Sequence, residues 1–349
     1  MARFVGLFFI ISALLIVHAG PAAAQGEAGA SSLIIPPSAR ANAMGQAFVA
    51  IADDATSLWW NPAGMAFVNR TVDFMHTQLV PDLASDVFFE YLGVIYEIKG
   101  FAVIGANLQY LSYGEWEATS QTGEALGTAK SYEFVPTVGG ALKITDDIAI
   151  GMNMKYIYVS LAPAWATVEE IDGIGHSIGL DLGGLWKVPD FKIPFPLWGW
   201  KWNWRLAHIP VSRLRLGACF SNLGPSLTYS NRDQAAPLPR NFRVGIAYTP
   251  VKNETGEMTI VADVNKSLVE YGSDEDYNRS NTYHAGAEFV YANLLIVRGG
   301  YIYDDDGDII NPTYGLGFVL NDKLRIDFAS IPQASDLARV YRWSVGYNF

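Results

Sequence analysis

Residues 148–158 read Ile148-Ala149-Ile150-Gly151-Met152-Asn153-Met154-Lys155-Tyr156-Ile157-Tyr158. The even positions are apolar or aromatic throughout, while the odd ones include Gly151, Asn153 and Lys155. Successive side chains of a strand point to opposite faces, so a period of two is the mark of a β-strand. The same rhythm runs through 101–110, where Ala102, Ile104, Ala106, Leu108 and Tyr110 alternate with Val103, Gly105, Asn107 and Gln109. It returns in 178–183, 242–248, 283–289 and 324–328. Alternation alone also suits a soluble sandwich with one wet face. Three features favour a membrane barrel. The polar faces carry glycine and charge, whereas the apolar faces end in Tyr, Phe or Trp, as aromatic girdles around a lipid-facing band do. Tight turns (99–100, 145–147, 321–323) alternate with long polar connections (114–130, 160–174, 223–240, 265–280, 331–338). The chain ends on a strand pattern, Tyr341-Arg342-Trp343-Ser344-Val345-Gly346-Tyr347-Asn348-Phe349.

Composition bounds the alternatives. Half of the 349 residues are hydrophobic, 17% are charged, and 33 are glycine. The formal charge of −11 argues against an electrostatic nucleic-acid binder. One cysteine, Cys219, leaves no intrachain disulfide framework and no Cys-based zinc site. Arg3, the apolar run 4–17 and Ala22-Ala23-Ala24 predict a secretory leader over 1–24, cleaved near Ala24. Beyond it no stretch is long and apolar enough for a membrane helix. Fourteen strands are expected, at about 72–79, 86–97, 101–113, 131–144, 148–159, 175–187, 213–222, 241–249, 257–264, 282–290, 295–303, 312–320, 324–330 and 339–349. The expected fold is therefore all-β: a closed antiparallel transmembrane barrel over 72–349, located in a bacterial outer membrane. An even strand count places the terminal Phe349 and the N-terminal segment on one side, the periplasmic one.

Residues 25–71 do not alternate. They contain Ser38-Ala39-Arg40-Ala41-Asn42-Ala43-Met44-Gly45-Gln46-Ala47-Phe48 and Ala52-Asp53-Asp54-Ala55-Thr56-Ser57-Leu58-Trp59-Trp60-Asn61-Pro62-Ala63-Gly64. Asp53 or Asp54 can cap a short helix through Trp60, and Asn61-Pro62 ends it. A fourteen-stranded barrel has a lumen too wide for its own side chains, so this segment is expected to be a hatch of short helices plugging it.

The stretch resembles the N-terminal motif of the PorV/PorQ proteins, within the wider FadL-like group of outer-membrane barrels. The match lies in Ser38-Ala39-Arg40, Met44-Gly45, Ala52-Asp53-Asp54-Ala55 and Trp60-Asn61-Pro62-Ala63-Gly64. The resemblance implies a fourteen-stranded barrel with a hatch marked by Arg40, Gly45, Asp53, Asp54, Asn61, Pro62 and Ala63. It implies a transport role without an enzyme's chemistry, first as a cargo-binding shuttle in type IX secretion. The alternative is an uptake channel for long-chain fatty acids or other hydrophobic small molecules, and the motif does not separate the two. The terminal Tyr347 and Phe349 resemble the signal read by the barrel assembly machinery. Expected partners are therefore that machinery, membrane lipid and lipopolysaccharide, and either secreted cargo or a hydrophobic ligand.

No catalytic motif, cofactor loop or metal spacing stands out. His284, Glu288 and Asp263 lie close enough in the strand pattern to suggest a remote hydrolase reading, but no serine has an activating motif. Parity instead points Lys155, Asp181, Arg215, Arg243, Asp263, His284, Glu288, Arg298, Arg325, Asp327 and Arg342 into the lumen as a network holding the hatch, with a carboxylate-binding site among the arginines as the sharper alternative. Pro136, with Gly139 and Gly140, marks a kink and a possible lateral opening. Trp198, Trp200, Trp202 and Trp204, at period two, suggest a hairpin anchored at the membrane interface. Asp304-Asp305-Asp306-Gly307-Asp308 lacks EF-hand spacing and is read as an acidic outer turn.

Overall fold

The structure is a computed structural model, and it describes residues 29–98, 102–167, 171–198, 204–211, 213–229, 235–269, 281–334 and 337–349, with the backbone alone over 192–211. The expected leader, Trp200 and Trp202 lie outside the described residues.

Among the described residues sixteen strands follow one another: β1 (Arg70–Gln78), β2 (Val87–Ile98), β3 (Ala102–Thr119), β4 (Ala125–Lys143), β5 (Ile148–Ser160), β6 (Ile174–Val188), β7 (Phe191–Trp198), β8 (Trp204–Val211), β9 (Leu214–Leu223), β10 (Asn241–Lys252), β11 (Gly256–Ser267), β12 (Thr282–Tyr291), β13 (Leu295–Asp304), β14 (Ile309–Leu320), β15 (Leu324–Ile331) and β16 (Val340–Asn348). Fourteen of them close into an antiparallel barrel, with β1 pairing both β2 and β16. β7 and β8 pair only with each other, as a separate hairpin inserted between barrel neighbours β6 and β9. Closure leaves no edge unpaired, which lipid requires. Among the described residues no helix is long and apolar enough to cross a membrane; the crossing elements are strands.

Side-chain alternation becomes an inside and an outside. Met152 and Met154 on β5 are more than half exposed on the outer face, while Asn153 and Lys155 between them are 1% exposed. On β6, Ile178, Leu180 and Leu182 face outward and Asp181 is fully buried. The long connection expected over 114–130 is mostly strand. β3 and β4 continue pairing to Thr119↔Ala125 through two register shifts, so this hairpin rises well past its neighbours. Polar strand residues outside lipid can still pair with one another, and the polarity of 114–130 concealed that.

Pro136 does not break the register. It pairs opposite Leu108, and Gly139 and Gly140 sit opposite Gly105 and Ile104 in the same continuous ladder. Towards β5 the pairing lapses between Phe134↔Tyr158 and Thr137↔Lys155 without a shift, as a residue lacking N–H requires. The irregular seam lies instead between β6 and β9, where the register shifts at Leu180/Leu182. There β9 ends at Leu223, and the upper part of β6 is met by a single bridge, His176↔Thr228.

The N-terminal segment lies inside this wall, but it does not start where expected. Gly29 donates its N–H to the Pro237 carbonyl in the β9–β10 connection, at the barrel end that carries the long connections. The chain then descends to Phe67, whose ring lies 3.7 Å from Lys187 Nζ and 5.4 Å from Lys143 Nζ, beside the tight turns. Phe349 donates its N–H to the Arg70 carbonyl at that same end. The segment thus runs the length of the lumen, and strand parity, which fixes only where β1 begins, could not reveal it.

Candidate functional site

The filled lumen is the candidate site, and its geometry starts from the small residues of the segment. Ala39–Ala43 form a helix whose preceding Ser38 accepts from the Ala41 N–H, the usual way a first turn finds a partner for an orphan donor. Ala39, Ala41 and Ala43 are fully buried, so the backbone packs directly on the β14–β16 wall. Gly45 has a left-handed φ of 65°, and any Cβ there would overlap the Ala285 and Tyr301 backbone. Thr313 grips this turn twice, donating to the Ala43 carbonyl at 2.8 Å and accepting from the Gly45 N–H at 2.9 Å.

A second helix, Ser57–Trp60, is not capped by a carboxylate as expected. Asp54 instead accepts from the Thr56 N–H at 3.0 Å, two residues ahead of the N-cap position that Thr56 itself occupies, and its other oxygen meets Arg325 at 2.9 Å. Asn61 then adopts extended backbone and opens the turn Pro62–Phe67, accepting from the Ala63 N–H at 3.1 Å. Its amide donates to the Val49 carbonyl at 2.9 Å and to the Gly184 carbonyl of β6 at 3.0 Å. Asn61 therefore satisfies its own turn, a neighbouring turn and the barrel wall at once. Pro62 and Ala63 are buried beside it.

The charged residues form one connected chain. Arg215 approaches Asp53 at 3.6 Å, and Asp53 meets Arg40 at 2.6 Å. Arg40 grips Glu288 with two parallel bonds of 2.9 Å, the fork geometry that makes guanidinium–carboxylate pairs strong. Glu288 meets Arg298 at 2.6 Å, Arg298 meets Asp327 at 2.7 Å, and Asp327 meets Arg325 at 2.8 Å. Arg325 closes on Asp54 and Asp73, both at 2.9 Å. Charges this deeply buried are tolerable only because each has partners of the opposite sign. Burial would push the Asp53 carboxyl up, but Arg40 and then Arg215 outweigh it and hold it below its ordinary value.

The remaining lumen candidates fall into local contacts. Lys155 pairs with Asp181 at 2.9 Å and donates to Asn222 at 2.7 Å, away from the segment. Arg243 lies over Trp59, 4.1 Å from the ring centre, and close to Trp60. Arg342 donates to the Pro36 carbonyl. Asp263 accepts from the Phe48 and Val49 N–H groups at 2.6 and 2.9 Å, while His284 bonds the Gly45 carbonyl oxygen and Thr282. Asp263, His284 and Glu288 are thus engaged with the segment and with arginine. Cys219 is buried in the wall. At the chain end, Tyr347 and Phe349 form an edge-to-face pair 5.0 Å apart, with Phe349 70% exposed. The acidic turn closes through Gly307 N–H donating to Asp304 at 3.0 Å, and no group of residues suited to a metal ion occurs among the described residues.

Two carboxylates escaped the sequence reading. Asp73 accepts from the Ala55 N–H at 2.8 Å, and Glu133 receives the Ser31 and Ser32 N–H groups at 2.9 and 2.8 Å and the Tyr113 hydroxyl. Both sit at buried, inward positions of their strands. That isolated inward charge was the available signal. Around Glu133 an apolar group forms from Ala30, Leu33, Val135, Ile157, Val159, Leu227 and Leu238.

Comparison with known proteins places this architecture. The Ralstonia pickettii toluene transporter TbuX is similar at 15% identity, over 89% of this chain and 97% of that one, with a TM-score of 0.56. A deletion mutant of the monoaromatic hydrocarbon channel TodX is similar at 14% identity, over the same shares, with a TM-score of 0.51. A Pseudomonas aeruginosa FadL homologue is similar at 12% identity, over 90% and 99%, with a TM-score of 0.49. At such identities the likeness is one of fold. No curated protein sequence matches the chain. Residues 25–274 match the family described as Type IX secretion system protein PorV, which is most of the chain, so this outer-membrane transport barrel belongs to the PorV family.

Proposed function

We propose that the chain acts in type IX-type secretion, binding secreted cargo at the outer membrane and handing it on. The observation that carries this reading is the PorV family match over 25–274, which includes the lumen segment and most of the wall. The lumen geometry is consistent with it. A segment pinned from Gly29 to Phe67 by ion pairs, backbone bonds and apolar packing against the inner wall occupies the barrel. Cargo then meets the outer end and the tall β3–β4 hairpin rather than passing through. The terminal Tyr347–Phe349 pair serves as the assembly signal, and the acidic turn 304–308 faces lipopolysaccharide.

The second reading is uptake of a hydrophobic small molecule. It is favoured by one observation, the apolar group of Leu33, Val135, Ile157, Leu227 and Leu238 at the outer end of the lumen. Deleting the gene and comparing the surface and supernatant proteomes tests the choice. Loss of surface-attached proteins, with unchanged growth on fatty acids or aromatic hydrocarbons, supports secretion. The reverse pattern overturns it in favour of uptake.

A further inference from the structure

Five of the six connections at the barrel end carrying Phe349 are tight; the sixth is the insertion 189–213. Val188 and Leu214 are direct partners in the β6–β9 ladder, so the barrel closes without the 189–213 insertion. Within it, β7 and β8 pair in unbroken register from Phe191↔Val211 to Trp198↔Trp204 and join no other sheet. A lone two-stranded hairpin is marginal in water and needs something to cover it. Register sorts its residues into two faces. The odd positions are Phe191, Ile193, Phe195, Leu197, Ala207, Ile209 and Val211, with Arg205 as the one charge. The even positions include Lys192, His208, three prolines, Trp198 and Trp204.

We propose that the odd-numbered face of the β7–β8 hairpin docks on the anionic phospholipid of the inner leaflet, beside the barrel wall. Three arguments select lipid. The hairpin is continuous with β6, whose outward Leu180 and Leu182 already belong to the membrane-facing surface. Its charge is opposite to that of the chain: in the sequence of 189–213, Lys192, Lys201, Arg205 and Arg213 stand against Asp190, in a protein of formal charge −11. Basic residues bordering an apolar face suit anionic headgroups and the interface below them. Pro194, Pro196 and Pro210 remove ladder donors, which disfavours a strand from a second copy or a peptide adding to the edges.

The test uses the full chain with Cys219→Ser and single cysteines at Ile193 or Ile209 (odd) and Lys192 or His208 (even), each carrying an environment-sensitive fluorophore. The protein is reconstituted in phosphatidylethanolamine–phosphatidylglycerol vesicles containing a lipid with a shallow spin label. Probes at 193 and 209 are expected to shift to the blue and be quenched by the lipid label, while those at 192 and 208 remain aqueous. Arg205→Glu, or omission of phosphatidylglycerol, is expected to weaken the association about fivefold per basic residue affected. Aqueous spectra at all four sites overturn the proposal, as do equal shifts on both faces. A blue shift that the lipid label does not quench also overturns it, because protein then covers the face. Replacing 189–213 by an Asn-Gly turn supplies the control: a folded, heat-modifiable barrel is expected, since Val188 and Leu214 already pair. The outcome is independent of whether the barrel serves secretion or uptake.

Discussion

Arg40 joins the N-terminal segment to the barrel through one guanidinium, bridging Asp53 on its own segment to Glu288 on β12. Arg40→Ala leaves Glu288 with Arg298 alone and Asp53 with the longer contact to Arg215. Removing one partner of a buried pair destabilises by about 3–5 kcal/mol, because the other charge stays buried. Arg40→Lys should recover little of this, since an ammonium cannot make the two-pronged bond. Limited proteolysis in detergent should cut the segment of both variants while sparing the wall; protection equal to the parent protein would remove Arg40 from this role. The pH response follows from Asp53. Arginine neighbours hold its carboxyl below the ordinary value of 3.8, so its contribution to docking is fully present above that value. The contribution is lost as pH falls through the lower folded value. The share of proteolytic protection due to Asp53, read as the difference between the parent protein and Asp53→Asn, should therefore be flat from neutral pH down to about pH 5 and decline only in stronger acid. A decline centred near neutral pH would show that another group controls the docking.

At the scale of elements, β5 separates two kinds of failure. Met152→Lys puts a charge on the lipid face, at about 2–4 kcal/mol near the midplane, and should reduce the folded, heat-modifiable band. Gly151 faces inward, where parity alone promises a milder result. The Pro62–Ala63 backbone, however, occupies the space any side chain at 151 would need. Gly151→Lys should leave the barrel inserted and expel the segment, seen as protease cleavage near Asn61. Loss of the folded band to the same degree in both variants would contradict the assigned faces. This contrast also marks where the sequence stopped being informative. Strand order, closure and the outward face were legible because each strand repeats a two-residue signal that lipid enforces. The path of residues 29–69 was not, because small residues say only that something packs closely, and the partners are far away in sequence. Asn61 could be singled out by resemblance, but its bond to the Gly184 carbonyl depends on a register 123 residues away. The tall β3–β4 hairpin was missed for a different reason: the glutamates and small polar residues of 114–130 make the stretch read as a connection, although Trp116 and Ala118 alternate with Glu115 and Glu117.

The whole molecule is a wall and an occupant that are chemically separable. Every barrel pairing, including the closing β1–β16 seam, is made between Arg70 and Asn348, so the wall does not need the segment for its hydrogen bonds. The segment does need the wall: its Asp53, Asp54 and Arg40 find partners on β9, β12 and β15. Deleting 38–64 should therefore leave an inserted barrel with a stable folded band. Water would enter the lumen and solvate Glu288, Asp327, Arg298 and Arg325, which relieves the burial that made their pairing necessary. A fourteen-stranded lumen without its plug is wide enough to conduct, so planar bilayers should show a sustained ion current absent from the parent protein. Asn61→Ala belongs between these extremes. It strands the Val49 and Gly184 carbonyls and the Ala63 N–H, at about 1–3 kcal/mol each, while Arg40 and its partners still hold the segment. Brief openings rather than a steady current are expected, together with partial reactivity of a cysteine placed at position 61. If the deletion instead abolished the folded band, the segment would be a template on which the wall assembles, and the separation argued from the pairing pattern would be wrong.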